Sequence, residues 1–182
     1  MRRSRSVRVA TLNVNRRLFS RREDIEAWCA AWGVEVLLLQ ECWPQTASYS
    51  AGPPLAGLWW VGGDSELGAY AVGEEATSLR HQAHHLEVRV GGRSLHDVYL
   101  DANKARAREK QLLQVTDRLG AAPTLVAGDF NLAPAPEDGL YGGQASTYTK
   151  AYERQALGSL LALGLRDLGL GSGEFTFERM NR

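Results

Sequence analysis

Short apolar runs, each closed by polar residues, recur along this chain. Val7 to Val14 is rich in β-branched and apolar residues and predicts a strand ending in Asn13-Val14-Asn15. From Arg21 to Trp32 the spacing changes to three and four. Ile25, Trp28, Cys29 and Trp32 then form one stripe, the pattern of an amphipathic helix, which Gly33 ends. Val34 to Leu39 is a continuous apolar run, as in a strand buried on both faces, and it closes in Gln40-Glu41. Strand, helix and strand in this order predict parallel neighbours joined by a right-handed crossover.

The middle of the chain is antiparallel in character. Pro44 to Gly57 is loop-like. Leu58 to Val61 and Gly68 to Val72 read as short strands around a turn at Gly62-Gly63-Asp64. Leu79 to Val90 reads as one strand, and Gly91-Gly92 as a hairpin leading to a strand from Ser94 to Leu100. After a loop from Asp101 to Lys104, a helix spans Ala105 to Leu119 with Leu112, Leu113, Val115 and Leu119 as its apolar face. Thr124 to Ala127 is another buried strand, and Gly128 frees the chain to turn. Leu132 to Thr149 is a long loop, Lys150 to Leu163 a helix with Tyr152, Ala156, Leu160 and Leu163 inward, and Glu174 to Glu178 a strand. No repeat or linker divides the chain, so residues 1–182 read as a single domain. The economical fold class is α+β, a layered sandwich of two stacked mixed sheets flanked by helices.

Composition changes this picture little. Lys and Arg total 21, as do Asp and Glu, so net charge gives no argument for a polyanionic partner. The first 22 positions are nonetheless crowded with arginines, a phosphate patch or a solvated basic tail. Two cysteines, Cys29 and Cys42, read as free thiols in a reducing compartment. No stretch approaches a membrane span, and no apolar core follows the basic N-terminus as a signal peptide requires. A cytoplasmic location is the expectation.

The chemistry lies at the strand exits. Asn13 and Asn15, Gln40 and Glu41, Tyr99 and Asp101, and Asp129 and Asn131 each close an apolar run. If the strands lie together, these groups converge at one rim. Glu41 with a neutral amide is a sparse oxygen-rich site of the kind that holds Mg²⁺ or Mn²⁺ through one or two carboxylates and several waters. Asp129 can take a proton from water or hold a metal, and Asn131 can orient the water or a phosphoryl oxygen. His81, His84 and His85 are too loosely spaced for a metal site and read as a surface cluster. Trp59-Trp60 could stack on bases, but core packing is the simpler reading.

Taken in order, these stretches resemble the endonuclease/exonuclease/phosphatase superfamily of DNase I-like and exonuclease III-like enzymes. Thr11-Leu12-Asn13-Val14-Asn15 looks like its first motif, and Leu37-Leu38-Leu39-Gln40-Glu41 like the second. Val98-Tyr99-Leu100-Asp101-Ala102, with Arg108 and Gln111, looks like the third, and Gly128-Asp129-Phe130-Asn131 like the fourth. The resemblance implies a phosphodiester hydrolase that uses Mg²⁺ or Mn²⁺. Glu41 would be the metal ligand with Asn13 beside it, and Asp129 would orient or deprotonate the attacking water. Asn131 would hold a phosphoryl oxygen, Tyr99 would contact the phosphate, and Asn15, Arg16, Asn103 and Arg106 would bind substrate phosphate. The expected substrate is nucleic acid, with DNA or RNA open. A small phosphorylated compound or lipid headgroup is the second enzyme reading.

The resemblance stops short at one end. The superfamily's later Asp-bearing strand and Ser-Asp-His ending have no counterpart before Arg182, and no histidine follows Asp129. The C-terminal strands are therefore expected to be missing. That raises a third reading: a fragment, a weakly active relative or a binding module that a second chain completes.

Overall fold

The computed structural model describes residues 7–73, 76–119, 125–132, 140–141, 144–145 and 149–166. The chain divides into two compact units, Met1–Leu100 with Ala122–Phe130, and Asp101–Ala121 with Asn131–Arg182.

The first unit is a two-sheet sandwich. Strand β1 (Val9–Asn13), helix α1 (Arg22–Trp32) and strand β2 (Val36–Gln40) form the expected parallel crossover, with Asn13 opposite Gln40. Strands β3 (Trp59–Gly63) and β4 (Leu67–Ala71) complete a sheet of order β1-β2-β4-β3. The second sheet has the order β5-β6-β7-β8, from β5 (Thr77–Gln82), β6 (His85–Val90), β7 (Arg93–Tyr99) and β8 (Leu125–Asp129). Its last pair is parallel and its others antiparallel, so both sheets are mixed.

Alternation decides what each face meets. Leu37 and Leu39 point to the α1 side, where Leu18, Ile25, Cys29, Trp43 and Tyr70 form one core. Val36 and Leu38 point the other way, onto Ala69, Leu86, Val88 and Leu95. This second layer joins the two sheets. Burying each Leu or Val in it contributes about 1.5–3 kcal/mol over leaving it exposed.

Several sequence expectations need correction. Leu79 to Val90 is two strands, because a two-residue turn at Ala83 and His84 folds β5 back on β6 without a Gly or Pro to mark it. Gly128 does not end its strand: β8 runs on to Asp129, with Gly128 opposite Val98. Its φ of 132° disfavours a side chain, and a Cβ there would lie 2.0 Å from the Val98 carbonyl oxygen, so glycine admits the β7 backbone. The α1 stripe is narrower than its spacing suggests: Ile25 and Cys29 are buried, while Trp28 and Trp32 are exposed. Trp60 packs against Trp43 and Tyr70, but Trp59, on the opposite face of the strand, is exposed.

The second unit contains helix α2 (Ala105–Arg118), a short ribbon of β9 (Leu140–Tyr141) with β10 (Gln144–Ala145), and helix α3 (Ala151–Leu161). The long loop expected from Leu132 to Thr149 therefore carries a strand pair. Leu113 was expected inward and is exposed, since the buried face of α2 is centred on Leu112 and Val115. The two helices pack together through an ion pair that the spacing did not foretell. Arg108 Nε donates to the fully buried Glu153 Oε1 at 2.7 Å, and Arg108 Nη1 donates to the Asp101 carbonyl. The expected strand from Glu174 to Glu178 lies outside the described residues. Among the described residues, no helix is long and apolar enough to cross a membrane.

A polar pair, Asp97 and Gln40, interrupts the layer between the sheets. Asp97 lies on the inner face of β7, fully buried, and its Oδ1 accepts a hydrogen bond of 2.5 Å from Gln40 Nε2 on β2. Burial pushes its carboxyl well above the ordinary carboxylate range, against the opposing pull of hydrogen bonds from Gln40, Val98 and Leu39. A carboxyl that is harder to ionise in the folded chain holds its proton where the unfolded chain has released it. Stability contributed this way is present below the unfolded value of 3.8 and is lost as pH rises toward the folded value. Asp97→Asn removes the titration. Thermal melting from pH 4 to pH 8 is expected to show Asp97→Asn gaining on the wild type as pH rises. Parallel curves would place Asp97 in an ordinary ionised state.

Candidate active site

The carboxyl ends of four strands meet at one rim of the sandwich. Asn13 ends β1, Glu41 follows β2, Tyr99 ends β7 and Asp129 ends β8. The Asn13 side chain joins them: Nδ2 donates to Glu41 Oε1 and to Asp129 Oδ2, both at 2.9 Å. Tyr99 OH donates to the same Glu41 Oε1, also at 2.9 Å. Glu41 thus takes two bonds on one oxygen, and Oε2 is left facing Arg16 Nε at 3.7 Å. Burial, then the bond to Glu41 and that carboxylate's charge, raises the Tyr99 phenol well above its ordinary value, so it stays a donor.

Local backbone geometry turns these groups to the rim. Asn15, Arg16 and Glu41 have φ of 49°, 59° and 51° in the left-handed region, where non-glycine residues are uncommon and cluster at functional sites. The bends are held by backbone bonds. Arg16 N–H donates to the Glu41 carbonyl at 2.6 Å, and Glu41 N–H to the Glu66 carbonyl at 2.8 Å. Asn15 N–H caps Asn13 Oδ1 at 2.9 Å, which fixes the amide with Nδ2 toward the carboxylates.

Of the residues expected at the site, Asn13, Glu41, Tyr99 and Asp129 therefore form one hydrogen-bonded group, with Asn15 and Arg16 beside it. Asn131, Asn103 and Arg106 belong to the second unit. There Asn103 N–H donates to Asp101 Oδ1 at 2.8 Å. The Arg106 guanidinium pairs with Glu109 at 2.8 Å and lies 3.8 Å above the Tyr152 ring. Asn131 has a left-handed φ of 48°.

Two features escaped the sequence reading. Glu66 holds Arg16 Nη1 at 3.1 Å and accepts from Gln45 Nε2 at 2.8 Å, so a second carboxylate restrains the arginine beside Glu41. No motif marks it; it reads as a turn residue. The histidines are also differently disposed. His85 is buried rather than at the surface, at the start of β6, with its Nε2 3.0 Å from Nδ1 of His96 on β7. His81 pairs with Asp64 at 3.3 Å.

The donor set decides which cation fits. Among the described residues, no group of three or more His, Cys, Asp or Glu could hold a metal alone. The rim offers two carboxylates and an amide, with no sulfur or imidazole. That does not fit a zinc-type cage and suits a hard cation that keeps several waters, with the Glu41 carboxylate as the oxygen donor best placed for it.

A two-sheet sandwich with an oxygen-rich rim at its strand ends is the class of protein that fold and site define. Residues 10–149 match the model of the Endonuclease/Exonuclease/phosphatase family, and the chain belongs to that family. No curated protein matched the sequence. Solved structures share the fold at low identity. An AP endonuclease from Archaeoglobus fulgidus superposes with a TM-score of 0.66 at 16% identity, covering 87% of this chain and 71% of its own. The endonuclease domain of TRAS1, a telomere-specific non-LTR retrotransposon, gives 0.58 at 17%, covering 91% and 74%. The 3'-5' exonuclease NExo from Neisseria meningitidis gives 0.56 at 22%, covering 85% and 70%.

The bridging role of Asn13 has a direct consequence. Asn13→Asp replaces the shared donor with a third carboxylate between two others. Without divalent cation the variant is expected to melt below the wild type at neutral pH. Millimolar Mg²⁺ should raise its melting temperature more than it raises the wild type's. Equal melting in EDTA would mean that Nδ2 does not hold the two carboxylates together.

Proposed function

We propose that the chain is a divalent-metal-dependent phosphodiester hydrolase acting on DNA or RNA by in-line attack of water. The observation that carries this reading is the hydrogen-bonded group of Asn13, Glu41, Tyr99 and Asp129, contributed by both sheets. A bound Mg²⁺ or Mn²⁺ would polarise the phosphate and neutralise charge as the leaving oxygen departs. Glu41 would be its main ligand, with Asn13 beside it at the metal or the phosphate. Asp129 orients the attacking water and accepts its proton. Tyr99, kept protonated, donates to a non-bridging phosphate oxygen once Glu41 is engaged elsewhere. Asn131 steadies the phosphoryl group in this reading, and Asn15, Arg16, Asn103 and Arg106 supply polar and cationic contacts to substrate phosphates. Abasic-site and retrotransposon endonucleases among the similar folds support nucleic acid over other phosphoesters. The balance of 21 basic and 21 acidic residues favours the second reading, a phosphatase or phosphodiesterase on small phosphorylated or lipid-headgroup substrates. A second chain that completes the site belongs to the same proposal.

The test is hydrolysis of plasmid DNA, RNA and a generic bis-phosphoester across a Mg²⁺ and Mn²⁺ titration. Glu41→Ala and Asp129→Ala are each expected to cut turnover by about 10²-fold or more. EDTA should abolish it in the wild type. Cleavage of plasmid over the small ester supports the nuclease reading, and the reverse preference supports the second. Turnover that survives both substitutions would remove this site from the chemistry.

A further inference from the structure

The four rim residues share a feature below the rim. Each follows, by one or two positions, a residue that lies at or against the buried contact between Gln40 and Asp97. Gln40 Nε2 donates to Asp97 Oδ1 at 2.5 Å and to Thr11 Oγ1 at 3.0 Å. A Cβ on Gly128 would lie 2.9 Å from the same Asp97 Oδ1, so β8 is seated directly against it. Thr11 precedes Asn13, Gln40 precedes Glu41, Asp97 precedes Tyr99 and Gly128 precedes Asp129. In an extended strand, residues two apart share a face, so Thr11 and Asp97 lie on the faces that carry Asn13 and Tyr99.

We infer that Asp97, bonded to Gln40 and through it to Thr11, is a positioning residue that fixes the offset of the two sheets and thereby brings Glu41, Asn13, Tyr99 and Asp129 within hydrogen-bond reach. The energetics support a role other than packing. Asp97 is fully buried on the strand face that carries Leu95, and its Oδ2 has no hydrogen-bond partner among the described residues. Such a group costs stability compared with an apolar residue of similar size. Apolar contact is non-directional and tolerates sliding of one sheet over the other. A short hydrogen bond between β7 and β2 does not. The bond also ties the sheet that carries Tyr99 and Asp129 to the sheet that carries Asn13 and Glu41. Burial disfavours the ionised form of Asp97, and an amide in its place keeps an oxygen that can accept the same bond from Gln40.

The inference rests on the functional reading above, and its test separates the two. Asp97→Leu, Asp97→Asn and Leu86→Ala are compared with the wild type, with folding followed by circular dichroism and melting. The direct readout is the ¹⁵N side-chain amide signal of Asn13, assigned by its loss in Asn13→Asp and recorded without metal. In Asp97→Leu this signal is expected to move toward free-amide values, and kcat to fall about 10- to 10²-fold with KM nearly unchanged, as for a misplacement of about 1 Å. Asp97→Asn should restore both. Leu86→Ala creates a cavity in the same layer; it should lower the melting temperature and leave both readouts near wild type. The inference is overturned if Asp97→Leu folds and keeps the Asn13 signal in place, or if Leu86→Ala moves it equally. If hydrolysis is absent or indifferent to Glu41→Ala, the functional reading fails, and the Asn13 signal still decides the role of Asp97.

Discussion

Everything at the candidate site depends on two sheets being held face to face in one register. The apolar layer of Val36, Leu38, Ala69, Leu86, Val88 and Leu95 supplies the attraction. Strand direction supplies the geometry. β1 runs parallel to β2 and β7 to β8, and the bonds that join Asn13, Glu41, Tyr99 and Asp129 put all four carboxyl ends at the same rim. A site assembled on strand ends inherits the rigidity of the sheets. Asn13 closes the assembly with one amide nitrogen that spans Glu41 and Asp129. Two carboxylates so close repel each other unless a donor or a cation lies between them. The structure shows the donor, and the functional proposal adds the cation.

Much of this was legible in the sequence, for physical reasons. Val36 to Leu39 is a solid apolar run because both of its faces are buried, and such a run can end only where polar groups reach water. Glu41 and Asp129 therefore mark the rim by the same logic that marks the core, while Gln40, expected beside Glu41, is buried beneath it against Asp97. What stayed hidden depends on contacts between distant segments. Asp97 sits in an ordinary-looking alternation of Leu95, Asp97 and Tyr99, and nothing local says that its neighbour is Gln40, 57 positions away. Glu153 is fully buried because Arg108 reaches it from another helix. The turn at Ala83 and His84 carries neither Gly nor Pro. Trp28 and Trp32 satisfy the same helical spacing as Ile25 and Cys29, yet are exposed.

The family assignment and the geometry bear on different questions. The match over residues 10–149 settles the family, and the similar solved structures settle the fold. Neither assigns work to individual side chains. The hydrogen bonds define the candidate site: a carboxylate with two hydrogen bonds on one oxygen and the other facing an arginine, a second carboxylate across an amide, and a phenol held protonated. Such a set lacks the imidazoles and thiolates that bind zinc, and has the oxygens that suit a hydrated hard cation.

Anomalous diffraction from crystals soaked in Mn²⁺ tests the central claim most directly. The account predicts a peak at the rim in contact with the Glu41 carboxylate, with Asp129 beside it, that disappears in Glu41→Ala crystals grown the same way. A Mn²⁺ peak only elsewhere on the chain, with Asn13 still bridging Glu41 and Asp129, would contradict it.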